Sequence, residues 1–281
     1  MNSQDRKPSL TAVSVAVLRA MHQLHDGSPK ILSDPVIPQL LDQATLDKIN
    51  SDLSWKQDAL TTGLRSHVVL RSRYAEDRLR DAVGRGVRQY VSLGSGLDTF
   101  GYRQPPWASA LRIFEVDHAP SQRAKVERLR ACGISIPPNV EFVAADFESA
   151  SLREIFSRSS LDVHAPAFFS CLGVLVYLAE DAVQAIFELI ASFPKGSEFV
   201  LTFSQGESTN GAVKKLADAS AKVGEPWRTY HSPEELTRQL LKSGFSEVSV
   251  LSPQEAKDLY YRDRQDNLPP PSRSSIACAI V

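Results

Sequence analysis

Hydrophobic and polar positions change period along this chain of 281 residues. Over residues 10–24, Val13, Val17, Ala20, Met21 and Leu24 recur at helical spacing, and Asp26-Gly27 with Pro29 just beyond ends the helix. Ser33-Asp34-Pro35 restarts the chain as a turn or helix entry, and 45–53 predicts a further short helix. Val68, Leu70, Leu79 and Val83, laced with Arg, Glu and Asp, predict an amphipathic helix over 67–83 that stops at Gly84 or Gly86.

After Gly86 the pattern becomes that of strands. Short runs rich in Val, Ile, Phe and Leu fall at 90–93, 111–116, 140–144, 167–171 and 198–203, with helix-compatible stretches at 121–131, 151–156 and 181–192. This alternation predicts an α/β fold, a parallel sheet with crossover helices on both faces. Further on, Ser232-Pro233-Glu234-Glu235 starts a helix with Ser232 as its cap, and Ser243-Gly244 closes it. Residues 248–251 and 276–281 read as two late strands joined by a long polar segment containing Pro269-Pro270-Pro271. Without a helical crossover between them they predict an antiparallel pair at the sheet edge. The organisation expected is a helical cap over 1–65, a core over 66–281 with a seven-stranded, mostly parallel sheet, and an insert at 205–231 that covers the substrate.

Composition narrows the partners. Lys plus Arg total 32 against 33 for Asp plus Glu, a formal net charge of -1, which offers no field for nucleic acid or an anionic membrane. The polar start and the shortness of the apolar runs, such as 173–179, predict a soluble cytoplasmic protein. Cys132, Cys171 and Cys278 are widely separated thiols without a C-x-x-C pair, and no histidine spacing suits a metal, so neither a disulfide framework nor a metal site is expected.

The candidate chemistry begins at Val91-Ser92-Leu93-Gly94-Ser95-Gly96-Leu97-Asp98-Thr99, a strand running into a glycine-paired turn. Gly94 and Gly96 allow the tight turn and a close approach of backbone to ligand. A dinucleotide fold wants a third small residue where Thr99 stands, to bring a helix under a diphosphate. Two acids follow in register. Asp117 ends the second strand, where a carboxylate can accept from both hydroxyls of a ribose, with Glu115 as a competitor on the same strand face. Asp146 ends the third, where it can take the amino group of an adenine while Phe147 packs on the ring. An adenosine lacking a diphosphate fits this set better than NAD does, and S-adenosylmethionine is such a ligand.

The blocks Arg71-Ser72-Arg73-Tyr74-Ala75-Glu76-Asp77, Gly86-Val87-Arg88-Gln89, Leu93 to Thr99, Phe114-Glu115-Val116-Asp117 and Gly173-Val174-Leu175-Val176-Tyr177-Leu178 resemble the leucine carboxyl methyltransferase-like family. The resemblance covers most of the chain. It implies a class I methyltransferase fold and S-adenosylmethionine-dependent O-methylation. It also implies that Arg71 pairs with the methionine carboxylate, for which a planar bidentate donor is suited. Gly94 and Gly96 would pass beside methionine and ribose, Asp117 would hold the ribose, and Asp146 with Phe147 would frame the adenine. Arg19 is a candidate for the family's basic residue on the N-terminal helix. One departure stands out: the family commonly has Glu two residues before Val174, where this chain has Leu172.

For the methyl acceptor, a small-molecule or peptide carboxylate or hydroxyl, the expected contacts are Tyr177, His231 as a base and Arg228 as a carboxylate holder. A carboxylate is ionised at pH 7 and needs no base, whereas a hydroxyl benefits from one. His22, His25, His67, His118 and His164 read as ordinary surface or core residues. Two rival readings are an NAD-type oxidoreductase, which Thr99 disfavours, and a non-catalytic cofactor-binding relative, which Leu172 makes conceivable.

Overall fold

The computed structural model describes residues 9–148, 151–206, 211–266 and 268–281. The first eight residues of the expected cap and 207–210 of the expected insert lie outside the described residues.

Helix α1, Leu10–His25, starts at Ser9, whose side chain accepts from Ala12 N, and ends at Asp26. Helix α2 is Gln43–Ser51. Helix α3, Ala59–Gly84, begins eight residues before the apolar pattern does. Asp58 caps it by accepting from Thr61 N, and its first turns bury Thr62, Arg65 and Ser66. Polar residues on the buried stripe hid that beginning from a reading by hydrophobic period.

The strands are β1 (Gln89–Leu93), β2 (Arg112–Asp117), β3 (Val140–Ala144), β4 (Phe168–Cys171), β5 (Glu198–Thr202), β6 (Glu247–Val250) and β7 (Ile276–Ile280). They form one seven-stranded sheet in the order β3-β2-β1-β4-β5-β7-β6. All pairings are parallel except those of β7, which runs antiparallel between β5 and β6. The sheet reverses its direction of growth at β1, between β2 and β4, where α/β folds open a crevice at the carboxyl ends of the strands.

Helices α4 (Ala119–Ala131), α5 (Leu152–Arg158), α6 (Glu180–Ala191), α7 (Gly211–Lys222), α8 (Pro233–Ser243) and α9 (Pro253–Tyr260) complete the chain. Helix α8 has the expected Ser232 cap, completed by the Glu235 side chain, and closes at Gly244 in the left-handed conformation. Helix α9 corrects the reading of the tail as helix-free between its two late strands. It is started by the same device, with Ser252 and Glu255 capping reciprocally around Pro253.

Alternate residues of each strand feed two cores. Val91, Phe114, Phe169 and Phe199 join α6 and α8 on one face, whereas Tyr90, Ile113, Phe168 and Val200 join α3 on the other. A third cluster, with Ala16, Ala20, Ile37, Leu40, Ile49 and Leu129, gathers the N-terminal helices against α4. Among the described residues no helix is long and apolar enough to cross a membrane.

Candidate active site

The turn after β1 depends on its glycines. Gly94 and Gly96 sit at φ of 69° and 47°, a region costly for any residue with a Cβ. A Cβ on Gly94 would lie 2.2 Å from Val174 Cγ2. The turn is fixed from β2: Gly94 N donates to Val116 O at 2.7 Å, and Gly96 N donates to Asp117 Oδ2 at 2.6 Å.

Asp117 is nearly buried, and its Oδ1 accepts from His118 N at 2.7 Å. Burial raises its pKa, against the pull of these two backbone N–H groups. Two of its lone-pair positions are thus taken and two are left for a ligand. Glu115 is not available: it is buried in a pair with Lys125 Nζ at 2.7 Å and accepts from the Tyr102 hydroxyl at 3.1 Å. On the neighbouring strand, Ala144 pairs with Asp117, which puts Asp146 just beyond the same edge. Asp146 Oδ1 accepts from Glu148 N at 3.1 Å and lies 3.8 Å from His118 Nε2. Phe147 turns the other way, into the core cluster that holds Val143, Leu152 and Phe156.

No α-helix follows the glycine turn. Residues 94–111 contain only two single 3-10 turns, Phe100–Tyr102 and Pro106–Ala108, before β2 begins. The helix N-terminus that would receive a diphosphate is therefore missing from the crossover where an NAD fold places it. Thr99, at the position that disagreed with an NAD pattern, is fully buried and serves as a hub. Its hydroxyl donates to Asp34 Oδ1 at 2.8 Å and accepts from Arg19 Nη2 and Arg103 Nε at 3.0 Å each. Arg19 also pairs with Asp34 at 2.6 Å and Asp98 at 3.0 Å. The arginine considered as a ligand contact is thus spent on fastening α1 to the glycine turn.

Arg71 is different. It projects from α3 to the end of β4, where Gly173, at φ 78°, has no Cβ to obstruct it. A Cβ there would be 2.6 Å from Nη1 and 3.0 Å from Cζ. The guanidinium has no hydrogen-bond or ion-pair partner among the described residues. Burial lowers its pKa to about 10, which still leaves it charged at pH 7. A half-buried cation without a partner is costly, and the planar fork of a guanidinium can hold a carboxylate. Leu172, next to Gly173, packs its side chain against the core instead of offering an acid.

Of the residues expected to contact the acceptor, Arg228, followed by Thr229, lies along the turn that contains Tyr177. Arg228 N and Thr229 N both donate to Val176 O, at 2.6 and 3.3 Å, and the Thr229 hydroxyl donates to Leu178 O. Tyr177 is half-buried and lies within the electrostatic reach of Arg71. The Arg228 guanidinium pairs at the surface with Glu148. His231 is buried, its backbone N donates to Ser204 O at 2.9 Å, and its Nε2 has no partner. Burial lowers its pKa, so the ring is neutral at pH 7.

His67 reads from the sequence as an ordinary surface or core residue. It stands one helical turn before Arg71, and its Nδ1 lies 3.2 Å from Ser275 Oγ. The i, i+4 spacing to Arg71 was the available signal.

The sequence profile of the leucine carboxyl methyltransferase family matches residues 12–191. A protein of Bacillus subtilis named as an S-adenosyl-L-methionine-dependent methyltransferase is 28% identical over 286 residues, spanning 92% of this chain and 93% of its own length. One of Frankia alni named in the same way is 29% identical over 239 residues, 80% of this chain and 78% of its own. Among solved structures, a Thermobifida fusca protein described as a methyltransferase shares the fold over 98% of this chain and 95% of its own, with a TM-score of 0.61 at 20% identity. A Streptomyces avermitilis protein matches over 95% and 96%, with a TM-score of 0.58 at 18% identity.

Proposed function

Because the chain belongs to the leucine carboxyl methyltransferase family and takes S-adenosylmethionine as its cofactor, we propose that this methyltransferase acts on oxygen, methylating a hydroxyl or carboxylate of a small molecule or peptide. The bound cofactor supplies a methyl group already activated on a sulfonium. The chain's own residues then have to bind, align and keep out water.

The observation that carries the cofactor assignment is the Arg71 guanidinium, unpaired against Gly173 and beside the glycine turn. In this reading Arg71 receives the methionine carboxylate, and Gly94 and Gly96 let the backbone pass beside methionine and ribose. Asp117 uses its two remaining lone-pair positions on the ribose hydroxyls. Asp146 takes the adenine amino group, and Phe147 supports that end from within the core. The absence of a helix between β1 and β2 supports an adenosine without a diphosphate over NAD.

Tyr177, His231 and Arg228 face the acceptor side. A neutral His231 suits a hydroxyl that must lose a proton. Arg228 would serve an acceptor carboxylate only by leaving Glu148.

Titration calorimetry with S-adenosylhomocysteine tests the assignment. The wild type binds, and Arg71→Ala loses roughly 100-fold in affinity, the scale of a charge-assisted pair. Binding of NADH in place of S-adenosylhomocysteine would overturn it. Methyl-labelled cofactor and a small-molecule extract of the source cell then test the chemistry: base-labile label marks an ester and base-stable label an ether. Cofactor binding without transfer of label to any product would point to a non-catalytic relative.

A further inference from the structure

We propose that His67 is a second donor to the carboxylate at the amino-acid end of the cofactor, acting beside Arg71. The inference rests on the S-adenosylmethionine reading above and adds a residue to it.

His67 and Arg71 are one turn apart on α3 and share a face of that helix. Their anchors also adjoin. Arg71 lies against Gly173, just past the end of β4, and Gly173 N donates to Thr202 Oγ1 at the end of β5. His67 Nδ1 lies 3.2 Å from Ser275 Oγ, and Ser275 O accepts from Phe203 N at 3.1 Å, one residue past Thr202. The two side chains are therefore held at neighbouring strand ends, on the edge of the sheet where the glycine turn also lies.

His67 is half-buried, and its Nε2 has no hydrogen-bond partner among the described residues. Burial, with a contribution from the charge of Arg71, pushes its pKa down to about 3, so the ring is neutral. When the Ser275 hydroxyl donates to Nδ1, the ring proton resides on Nε2 and makes that atom a donor. The Arg71 charge makes the potential around His67 positive, which favours a carboxylate over the ammonium of the same amino-acid group. A carboxylate also has lone pairs left after a bidentate guanidinium contact. Leu172 adds no acid at this strand end that would draw a cation instead.

Three ligands separate this role from a structural one. They are S-adenosylhomocysteine, its decarboxylated analogue 5′-deoxy-5′-(3-aminopropylthio)adenosine, and 5′-methylthioadenosine, which lacks the whole amino-acid group. His67→Ala should weaken S-adenosylhomocysteine about tenfold and leave the affinities of the other two unchanged. His67→Gln, whose amide can donate from nearly the same position, should recover most of the loss. Ser275→Ala, which frees the ring, should fall between. Undiminished binding of S-adenosylhomocysteine by His67→Ala would overturn the proposal. So would a loss shared with 5′-methylthioadenosine, or one that persists with the decarboxylated analogue. A wild type that binds neither S-adenosylhomocysteine nor 5′-methylthioadenosine would instead sink the cofactor reading.

Discussion

The Thr11 backbone N–H donates to Glu225 Oε2 at 3.2 Å, tying the first turn of α1 to the segment after α7 across 214 positions of sequence. At the same turn, Ala12 Cβ stands 3.3 Å from where a Cβ on Gly96 would be, so α1 rests directly on the glycine turn. Two turns along α1, Arg19 is locked to Asp34, Asp98 and Thr99. Helix α1 is thus pinned in its middle, and among the described residues the Thr11–Glu225 bond ties its first turn, which rests on the glycine turn, to the segment after α7.

Thr11→Pro removes that bond, because proline is tolerated in the first turn of a helix and lacks the N–H; it also removes the Thr11 hydroxyl, which lies 2.9 Å from Ser9 Oγ, a loss that Thr11→Val reproduces by itself as the control. Loss of about 1 kcal/mol at this contact should raise the dissociation rate of S-adenosylhomocysteine about fivefold and lower the melting temperature of the free protein by about 2–4 °C. Stopped-flow measurement of the rate tests this. An unchanged rate would mean that the tip of α1 does not retain the cofactor.

On the proposed ribose assignment, Asp117 links cofactor affinity to pH. Burial raises its pKa above that of an ordinary aspartate, and the protonated carboxyl no longer offers acceptors to two ribose hydroxyls. Affinity for S-adenosylhomocysteine should therefore be full at neutral pH and fall on acidification, starting at a higher pH than an exposed aspartate would give. Asp117→Asn should bind weakly with this slope flattened. Asp117→Ala, which also strands the N–H groups of Gly96 and His118, should lose roughly 100-fold. Calorimetry between about pH 4 and pH 8 reads both effects.

Asp98 makes the opposite contribution, to stability. Burial would raise its pKa, but the charges of Arg19 and Arg103 outweigh burial and bring it down to about 2. A carboxylate whose pKa is lower folded than unfolded stabilises the fold above its unfolded pKa, and that stability is lost as pH falls through the folded value. The expected loss is about 2 kcal/mol, spread between roughly pH 4 and pH 2. Asp98→Asn should be less stable at neutral pH and show a shallower decline over that window in denaturant titrations. An unaltered slope would separate Asp98 from the acid sensitivity of the fold.

Gly94→Ala should cost stability from two sources: the left-handed backbone, about 1–2 kcal/mol, and the 2.2 Å approach to Val174 Cγ2. Adding Val174→Ala relieves only the second. The double variant should therefore melt above Gly94→Ala and below Val174→Ala alone. Full recovery would show that the backbone conformation at Gly94 carries no strain for alanine.

Much of the architecture lay in local pattern. Period-2 apolar runs located the five parallel strands, glycines at Gly94 and Gly96 marked the turn, and Ser232-Pro233 with Gly244 bounded α8, because each signal is written within a few residues. Asp117 and Asp146 could be placed at strand ends for the same reason. Helix α9 escaped because its capping box precedes a mostly polar stretch, and the start of α3 because that helix buries polar residues there.

The partners of each charge were decided only by the tertiary structure. Arg19, Arg71 and Arg228 are all arginines that the sequence offers as candidate ligand contacts. Packing fastens the first to Asp34, Asp98 and Thr99, pairs the third with Glu148, and leaves the second unpaired against Gly173. Likewise His67, unremarkable in sequence, is joined to Ser275 from the other end of the chain. Sequence determined the sheet, its glycine turn and the acids beside it, since backbone conformation and hydrophobic period are local. Which charged groups remain free for a ligand depends on contacts between residues far apart in the chain, and only the folded arrangement sets those.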